Sequence, residues 1–277
     1  MENQIDELIE KYKLTEEEHA EVLEVLKKDL FSNISMDDAP SVMFVVGQPG
    51  CGKTTFINNS NLEKYVIINS DDYRKFSKYS SEILKNYSTD YAKLTNYDVH
   101  LWGDELFNYA VENGYSPLRE KAPLDDSLLD VIKEIPSKYE IIINVVVAGN
   151  LESLLATRER YEKESLIASN AKLSNIESHN KCYSILPNFI SKCLSLNIKV
   201  NYVIPNGEEF EIVSVVDNHL NLLEEYRNKS NKHALISYND RIDAIKQSMI
   251  KRTAPKNQFD ELDKIEIVYN ELNNKRS

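Results

Sequence analysis

The chain has 277 residues, 42% of them hydrophobic, which is enough for one large α/β domain with helical additions at its ends. A formal charge of −12 excludes a broad basic surface for nucleic acid, because phosphate backbones are gripped by Lys and Arg. No apolar run approaches the roughly 20 residues that cross a bilayer, and Cys51, Cys182 and Cys193 follow neither a zinc spacing nor a disulfide pattern, so the expected setting is a reducing cytoplasm without membrane contact.

The N-terminus is acidic (Glu2, Asp6, Glu7), without the apolar core of a signal peptide. Its first thirty residues have helical periodicity: Ile5, Leu8, Ile9 and Tyr12 share one face, Leu23, Leu26 and Leu30 another. Thr15 is placed to cap the second segment, with Glu16, Glu17 and Glu18 in its first turn and Lys27 and Lys28 near its end, as the helix dipole favours. Asp37-Asp38-Ala39-Pro40 marks a break. Residues 1–40 are therefore expected to form a helical extension, 41–217 a core, and 218–277 a polar, helical and peripheral tail.

In the core, Ser41 to Val46 is an apolar strand running into Gly47-Gln48-Pro49-Gly50-Cys51-Gly52-Lys53-Thr54, with a helix from Lys53 to about Asn59. Val66-Ile67-Ile68 is a second strand, ending at Asn69-Ser70-Asp71-Asp72, and residues 80 to 113 are mostly helical. A third strand is expected to end near Glu120, after Gly114, although Pro117 weakens a central strand and Arg119 is costly to bury. Ile141 to Ala148, continuously apolar, fits a parallel strand covered on both faces. Leu151 to about Glu164 and Leu186 to Leu196 are expected as helices, and Ile198 to Ile204 and Phe210 to Val216 as an antiparallel pair around Pro205-Asn206-Gly207. Strands alternating with helices predict a three-layer α/β fold with a mostly parallel sheet.

The glycine-rich segment matches the P-loop spacing in full, in the strand–loop–helix context the motif requires. Such a loop turns backbone N–H groups toward phosphate oxygens, assisted by the positive end of the following helix. Lys53 is suited to the β- and γ-phosphates of ATP or GTP, and the Thr54 hydroxyl to Mg²⁺. Cys51 lies near a helix N-terminus and Lys53, two influences that lower a thiol pKa, but a tolerated small side chain is favoured over a redox role. Asp71, at a strand end beside the loop, has two roles open to it: base toward an acceptor hydroxyl, or magnesium ligand. Arg158 and Arg160 suit either the transferring phosphate or a solvated helix face paired with Glu159, Glu162 and Glu164. Glu120 suits either a sugar hydroxyl or an ordinary surface position beside Lys121. His100, His179 and Trp102 match no ligand pattern and are assigned to packing.

The order of Val45-Val46-Gly47-Gln48-Pro49-Gly50-Cys51-Gly52-Lys53-Thr54-Thr55, Ile67-Ile68-Asn69-Ser70-Asp71-Asp72-Tyr73, Glu112-Asn113-Gly114-Tyr115 and Thr157-Arg158-Glu159-Arg160-Tyr161-Glu162 resembles the zeta-toxin family, the kinase toxins of epsilon/zeta-type toxin–antitoxin systems, over roughly residues 41 to 216. The resemblance implies a P-loop kinase fold and transfer of the ATP γ-phosphate to the amino-sugar hydroxyl of UDP-N-acetylglucosamine, which blocks cell-wall synthesis. It also implies a small helical antitoxin as partner. By position, residues 47 to 55 would bind ATP, Lys53 acting on its phosphates and Thr54 holding Mg²⁺. Asp71 would be the general base, Asp104 and Glu120 would bind the sugar nucleotide, and Arg160 would be the first lid arginine. The second lid arginine is replaced by Lys172, which makes no bidentate phosphate contact. The family's Glu-Gly-Thr step reads Glu120-Lys121-Ala122 here, so a different or broader acceptor is expected. A small-molecule kinase without a toxin role and a non-catalytic nucleotide-dependent module are the other readings.

Overall fold

The computed structural model describes residues 2–87, 90–166, 171, 173–207, 209–215 and 219–275, with side chains from residue 5 onward. Two helices open the chain, α1 (Glu2–Tyr12) and α2 (Glu16–Phe31). Thr15 and Glu18 form a reciprocal capping box: the Thr15 hydroxyl accepts from the Glu18 amide at 3.3 Å and the Glu18 carboxylate from the Thr15 amide at 3.1 Å.

Six strands make one sheet in the order β2-β3-β1-β4-β5-β6. They are β1 (Ser41–Val46), β2 (Tyr65–Ile68), β3 (Ser116–Lys121), β4 (Glu140–Val146), β5 (Lys199–Asn206) and β6 (Glu209–Ser214). All neighbours are parallel except β5 and β6, which are antiparallel. Every residue of β1 is buried, as its unbroken apolar run predicts for a central strand covered on both faces.

Alternation along β1 divides the core. Val42, Phe44 and Val46 face the larger layer, built with α2, α5 (Tyr91–Glu112), α6 (Ser127–Glu134) and α8 (Ile176–Ser195). Met43 and Val45 face α3 (Lys53–Asn59), where Phe56 and Ile57 close a smaller cluster. A 3₁₀ turn (Ser70–Phe76) and α4 (Ser80–Asn86) lead from β2 into α5. After β4 comes α7 (Asn150–Ser165), and after β6 the long α9 (His219–Lys251) and α10 (Lys256–Asn274).

Two expectations need correction, and the expected third strand is borne out. Helix α8 begins at Ile176, not Leu186, and carries Pro187 inside it. The tail is helical but not peripheral: Ala234, Tyr238, Ile242, Ile245 and Met249 of α9 and Leu262 and Ile265 of α10 bury against Leu151, Leu154 and Leu155 of α7. The third strand does form, in an internal position, despite Pro117 and Arg119. Arg119 is 5% exposed, yet its guanidinium donates to Asp104 at 2.7 Å and lies over the Phe107 ring, so the charge is not buried alone.

Candidate phosphate-loop site

The loop leaves the carboxyl end of β1 between β3 and β4, the edge at which parallel sheets bind ligands. Gly50 has φ +79°, and a Cβ there would fall 2.1 Å from the Ser153 carbonyl and 2.7 Å from the Thr157 methyl of α7, so only glycine lets the loop lie on that helix. The Gln48 amide donates to the Ala148 carbonyl at 3.0 Å and to the Ser153 hydroxyl at 3.2 Å, a second tie between loop and α7. Pro49 is half-buried between these anchors, and Gly52, at φ +99°, opens α3.

Lys53 is buried and its ammonium donates to the Gly47 and Gln48 carbonyls at 2.8 and 3.1 Å. Thr54 and Thr55 are exposed in the first turn of α3. Glu120 pairs in register with Val45, so its carboxylate arrives beside the loop. It accepts from the Thr54 hydroxyl at 2.9 Å and sits 3.7 Å from the Lys53 ammonium. The strand that places it there also aims it toward α3, away from the Asp104 side.

Cys51 follows the small-side-chain reading and not the redox one. It is buried, and burial pushes its thiol pKa up despite Lys53, so it is not an activated thiolate. His179 is buried, as its assignment to packing expects: its Nε2 is 2.8 Å from the Ser153 hydroxyl, and burial lowers its pKa to about 4, keeping the ring neutral beneath the loop.

Across the sheet edge lies a second group of charges. Asp71 is exposed and held by Arg74, whose Nη2 and Nε reach it at 2.5 and 3.0 Å. Arg74 is itself fixed by the Ala92 carbonyl, the Thr95 hydroxyl and Asn96 at 2.7–2.8 Å. This orienting arginine escaped the sequence reading; its only signal is the three-residue spacing from Asp71 across one helical turn. Asp104 is exposed and paired with Arg119. Lys121 is partly buried, and its pKa falls to about 8 through burial and then through Arg119. His100 is pushed down first by burial and then by Arg74 and Lys121, with Asp104 and Asp71 opposing. Asp71, Arg74, His100, Asp104, Arg119 and Lys121 thus form one electrostatic neighbourhood.

On α7 the two arginines separate. Arg158 is fully buried and bonded to Glu261 of α10, so it is an internal anchor. Arg160 is exposed, donating to the Ser174 hydroxyl at 3.1 Å with Glu164 at 3.9 Å. Lys172 lies outside the described residues. Among the described residues no cluster of three or more His, Cys, Asp or Glu side chains could hold a metal, and no helix is long and apolar enough to cross a membrane.

The sequence that builds this loop and these strands matches a known family. The family model described as Zeta toxin covers residues 24–212. The chain belongs to the zeta-toxin family. Toxin zeta of Streptococcus agalactiae is 25% identical over 157 residues, which are 53% of each chain, so the chain spans about half the length of the curated relative it matches. Among solved structures, that of the PezAT chromosomal toxin–antitoxin system of Streptococcus pneumoniae aligns with a TM-score of 0.71 and 20% identity, over 84% of this chain and 98% of that one. AvrRxo1-ORF1:AvrRxo1-ORF2 with sulphate ions aligns with a TM-score of 0.51 and 14% identity, over 80% and 72%. At these identities the structural likeness establishes the zeta-type P-loop fold. The family match starts at residue 24, inside α2, and ends before α9, so the C-terminal helices lie beyond it.

Proposed function

We propose that this zeta-family chain is a toxin kinase that moves the γ-phosphate of ATP to a hydroxyl of a UDP-N-acetylglucosamine-like sugar nucleotide. The observation that carries the reading is the convergence of Lys53, Thr54 and Glu120 at one end of β1 and β3 with an arginine-fixed carboxylate, Asp71, at the end of β2. Loop amides and Lys53 would grip the triphosphate, and Arg160 would offset charge on the transferring group. Thr54 and Glu120 supply two hard oxygen donors 2.9 Å apart, a donor set suited to Mg²⁺, which would neutralise phosphate charge when bound. Asp71, oriented by Arg74, takes the acceptor's hydroxyl proton as the new O–P bond forms; the bond from Pγ to the β–γ bridging oxygen breaks and ADP leaves. Little else is asked of the protein than positioning and charge complementarity.

Arg74, Arg119 and Lys121 beside Asp71 and Asp104 favour an acceptor that carries its own anionic group, such as the diphosphate of a sugar nucleotide. The Lys121-Ala122 step supports an acceptor whose contacts differ from the family's usual one. Family membership supports a small helical antitoxin as partner and a cytoplasmic site of action. The purified protein, incubated with ATP, Mg²⁺ and a panel of UDP-sugars and nucleotides, is expected to yield one product heavier by a single phosphate in mass spectrometry. Lys53→Ala abolishes that product and any growth arrest, and Asp71→Ala comes close to doing so. Failure of ATP and GTP to bind in calorimetry with Mg²⁺ present would refute the reading.

A further inference from the structure

Helix α7 stands between the phosphate loop and the C-terminal helices, and both of its faces are fastened. Toward the loop it offers Ser153 to Gln48 and the Ser153 carbonyl to the close approach of Gly50. Toward α9 and α10 it is held by an uninterrupted series of charged pairs. Arg241 binds Glu159 through two bonds of 2.6 and 2.7 Å and Glu152 through two more of 2.8 and 2.9 Å. Arg252 binds Glu162 through two bonds of 2.8 and 2.6 Å. The buried Arg158 reaches Glu261. The helix start is held as well: its N-cap is Gly149, which has no side chain to cap with. In its place Asn231 accepts from the Leu151 amide at 3.0 Å and Ser230 from the Gly149 amide at 2.9 Å.

Paired guanidinium–carboxylate forks fix direction as well as distance. Glu152, Glu159 and Glu162 span more than two helical turns, so together they set both the rotation and the height of α7. Residue 160 lies between the held residues 159 and 162 and faces away toward Ser174. We propose that α9 and α10 act as the positioning element of the phosphoryl-transfer site, with Arg241 and Arg252 as positioning residues that hold Arg160 and the phosphate loop in mutual register. The proposal rests on the reading of Arg160 as a phosphate-contacting lid arginine. Misplacement of a reacting group by about 1 Å costs on the order of 100-fold in rate, so small freedom in α7 has a large kinetic effect.

The test compares the full-length chain with Arg241→Gln/Arg252→Gln and with Arg241→Lys/Arg252→Lys. Three quantities are read: ATP affinity by calorimetry, kcat and KM for phosphate transfer, and hydrogen exchange of the amides of residues 150–165. For the Gln pair we expect kcat to fall about 10- to 100-fold, ATP affinity to stay within about threefold, and exchange in α7 to quicken. The Lys pair regains only part of kcat, because an ammonium makes no fork. Unchanged kcat with quickened exchange overturns the positioning role, since the pairs then serve stability alone. Equal losses of kcat and ATP affinity also overturn it, because the loop itself has then been damaged. If the unaltered chain transfers no phosphate, the kinase reading fails and this proposal falls with it; a chain that transfers phosphate with a kcat unmoved by the Gln pair defeats this proposal alone. Should the Gln pair not fold, Arg241→Lys alone is read against the same criteria.

Discussion

Replacing Lys121 by Met should stabilise the protein near neutral pH, and the gain should vanish in alkali. Lys121 is partly buried at the end of β3, and its pKa is lowered from 10.5 to about 8, first by burial and then by Arg119. Below about pH 8 the amine is charged in both folded and unfolded chains, and folding bears the full cost of that charge. Between about 8 and 10.5 the unfolded chain holds a proton that the folded chain has released, so stability rises with pH across this window. The lowering from 10.5 to about 8 corresponds to roughly 3 kcal/mol as an upper bound. Water reaching a partly buried amine reduces it, and about 2 kcal/mol is the working expectation. Urea unfolding of both proteins at pH 6.5, 8 and 9.5 checks this, other titrating groups cancelling in the difference. Lys121→Met should be the more stable by about 2 kcal/mol at pH 6.5, with the gap shrinking at pH 9.5. A gap of the same size at both ends, or a less stable variant at pH 6.5, refutes the argument. The same variant should bind an anionic acceptor more weakly, the usual exchange between stability and activity at a site.

Three other outcomes follow from the geometry. Gly50→Ala should weaken ATP binding by more than about tenfold in calorimetry and lower the melting temperature, because the new methyl meets the Ser153 carbonyl at a left-handed φ. Glu120→Gln should raise the Mg²⁺ concentration for half-maximal transfer about tenfold while leaving metal-free ATP binding in place; an unchanged Mg²⁺ titration would place Glu120 outside the metal's surroundings. Thr15→Ala removes one half of the capping box and should cost about 1 kcal/mol in urea unfolding, with transfer activity unaffected.

The parts of the fold visible in sequence are those with local causes. The apolar run of β1 and the glycine spacing after it place the strand at Ser41–Val46 and the helix start at Lys53. The short helix α6 went unread, although Leu128, Leu129 and Ile132 are its buried face. The first half of α8 was hidden by polar residues whose partners are distant, His179 on Ser153 among them. The same holds for the tail. Its helices are legible, but the tail as a whole reads as polar and peripheral because the partners of Asn231, Arg241 and Arg252 on α7 lie some 80 to 90 positions earlier. Local periodicity carries no trace of pairings at that separation. In the site, Lys53 and Thr54 were legible from spacing, whereas Arg74 was not, since its role depends on how one 3₁₀ turn folds back on α5.

Strand β3 shows how a segment that looks damaged in sequence can be tightly specified in space. Its residues alternate between two layers: Leu118 packs with Phe56 and Ile57 under α3, and Arg119 lies over Phe107 on α5. Glu120 returns to the α3 side to meet Thr54, and Lys121 shares the surroundings of Arg119 and Asp104. One strand thereby delivers its acid to the Thr54 side and its two cations to the Asp104 side. A slip of one residue would exchange these faces, setting Arg119 against Thr54 and Lys53 and burying Glu120 on Phe107 without its partner. Like charges would then meet at the loop, and a carboxylate would lack any donor in the apolar layer. The charged residues that break the apolar pattern of β3 are therefore what fix its register, and that register is what separates the Thr54 side of the strand from the Asp104 side, the division that the proposed transfer requires.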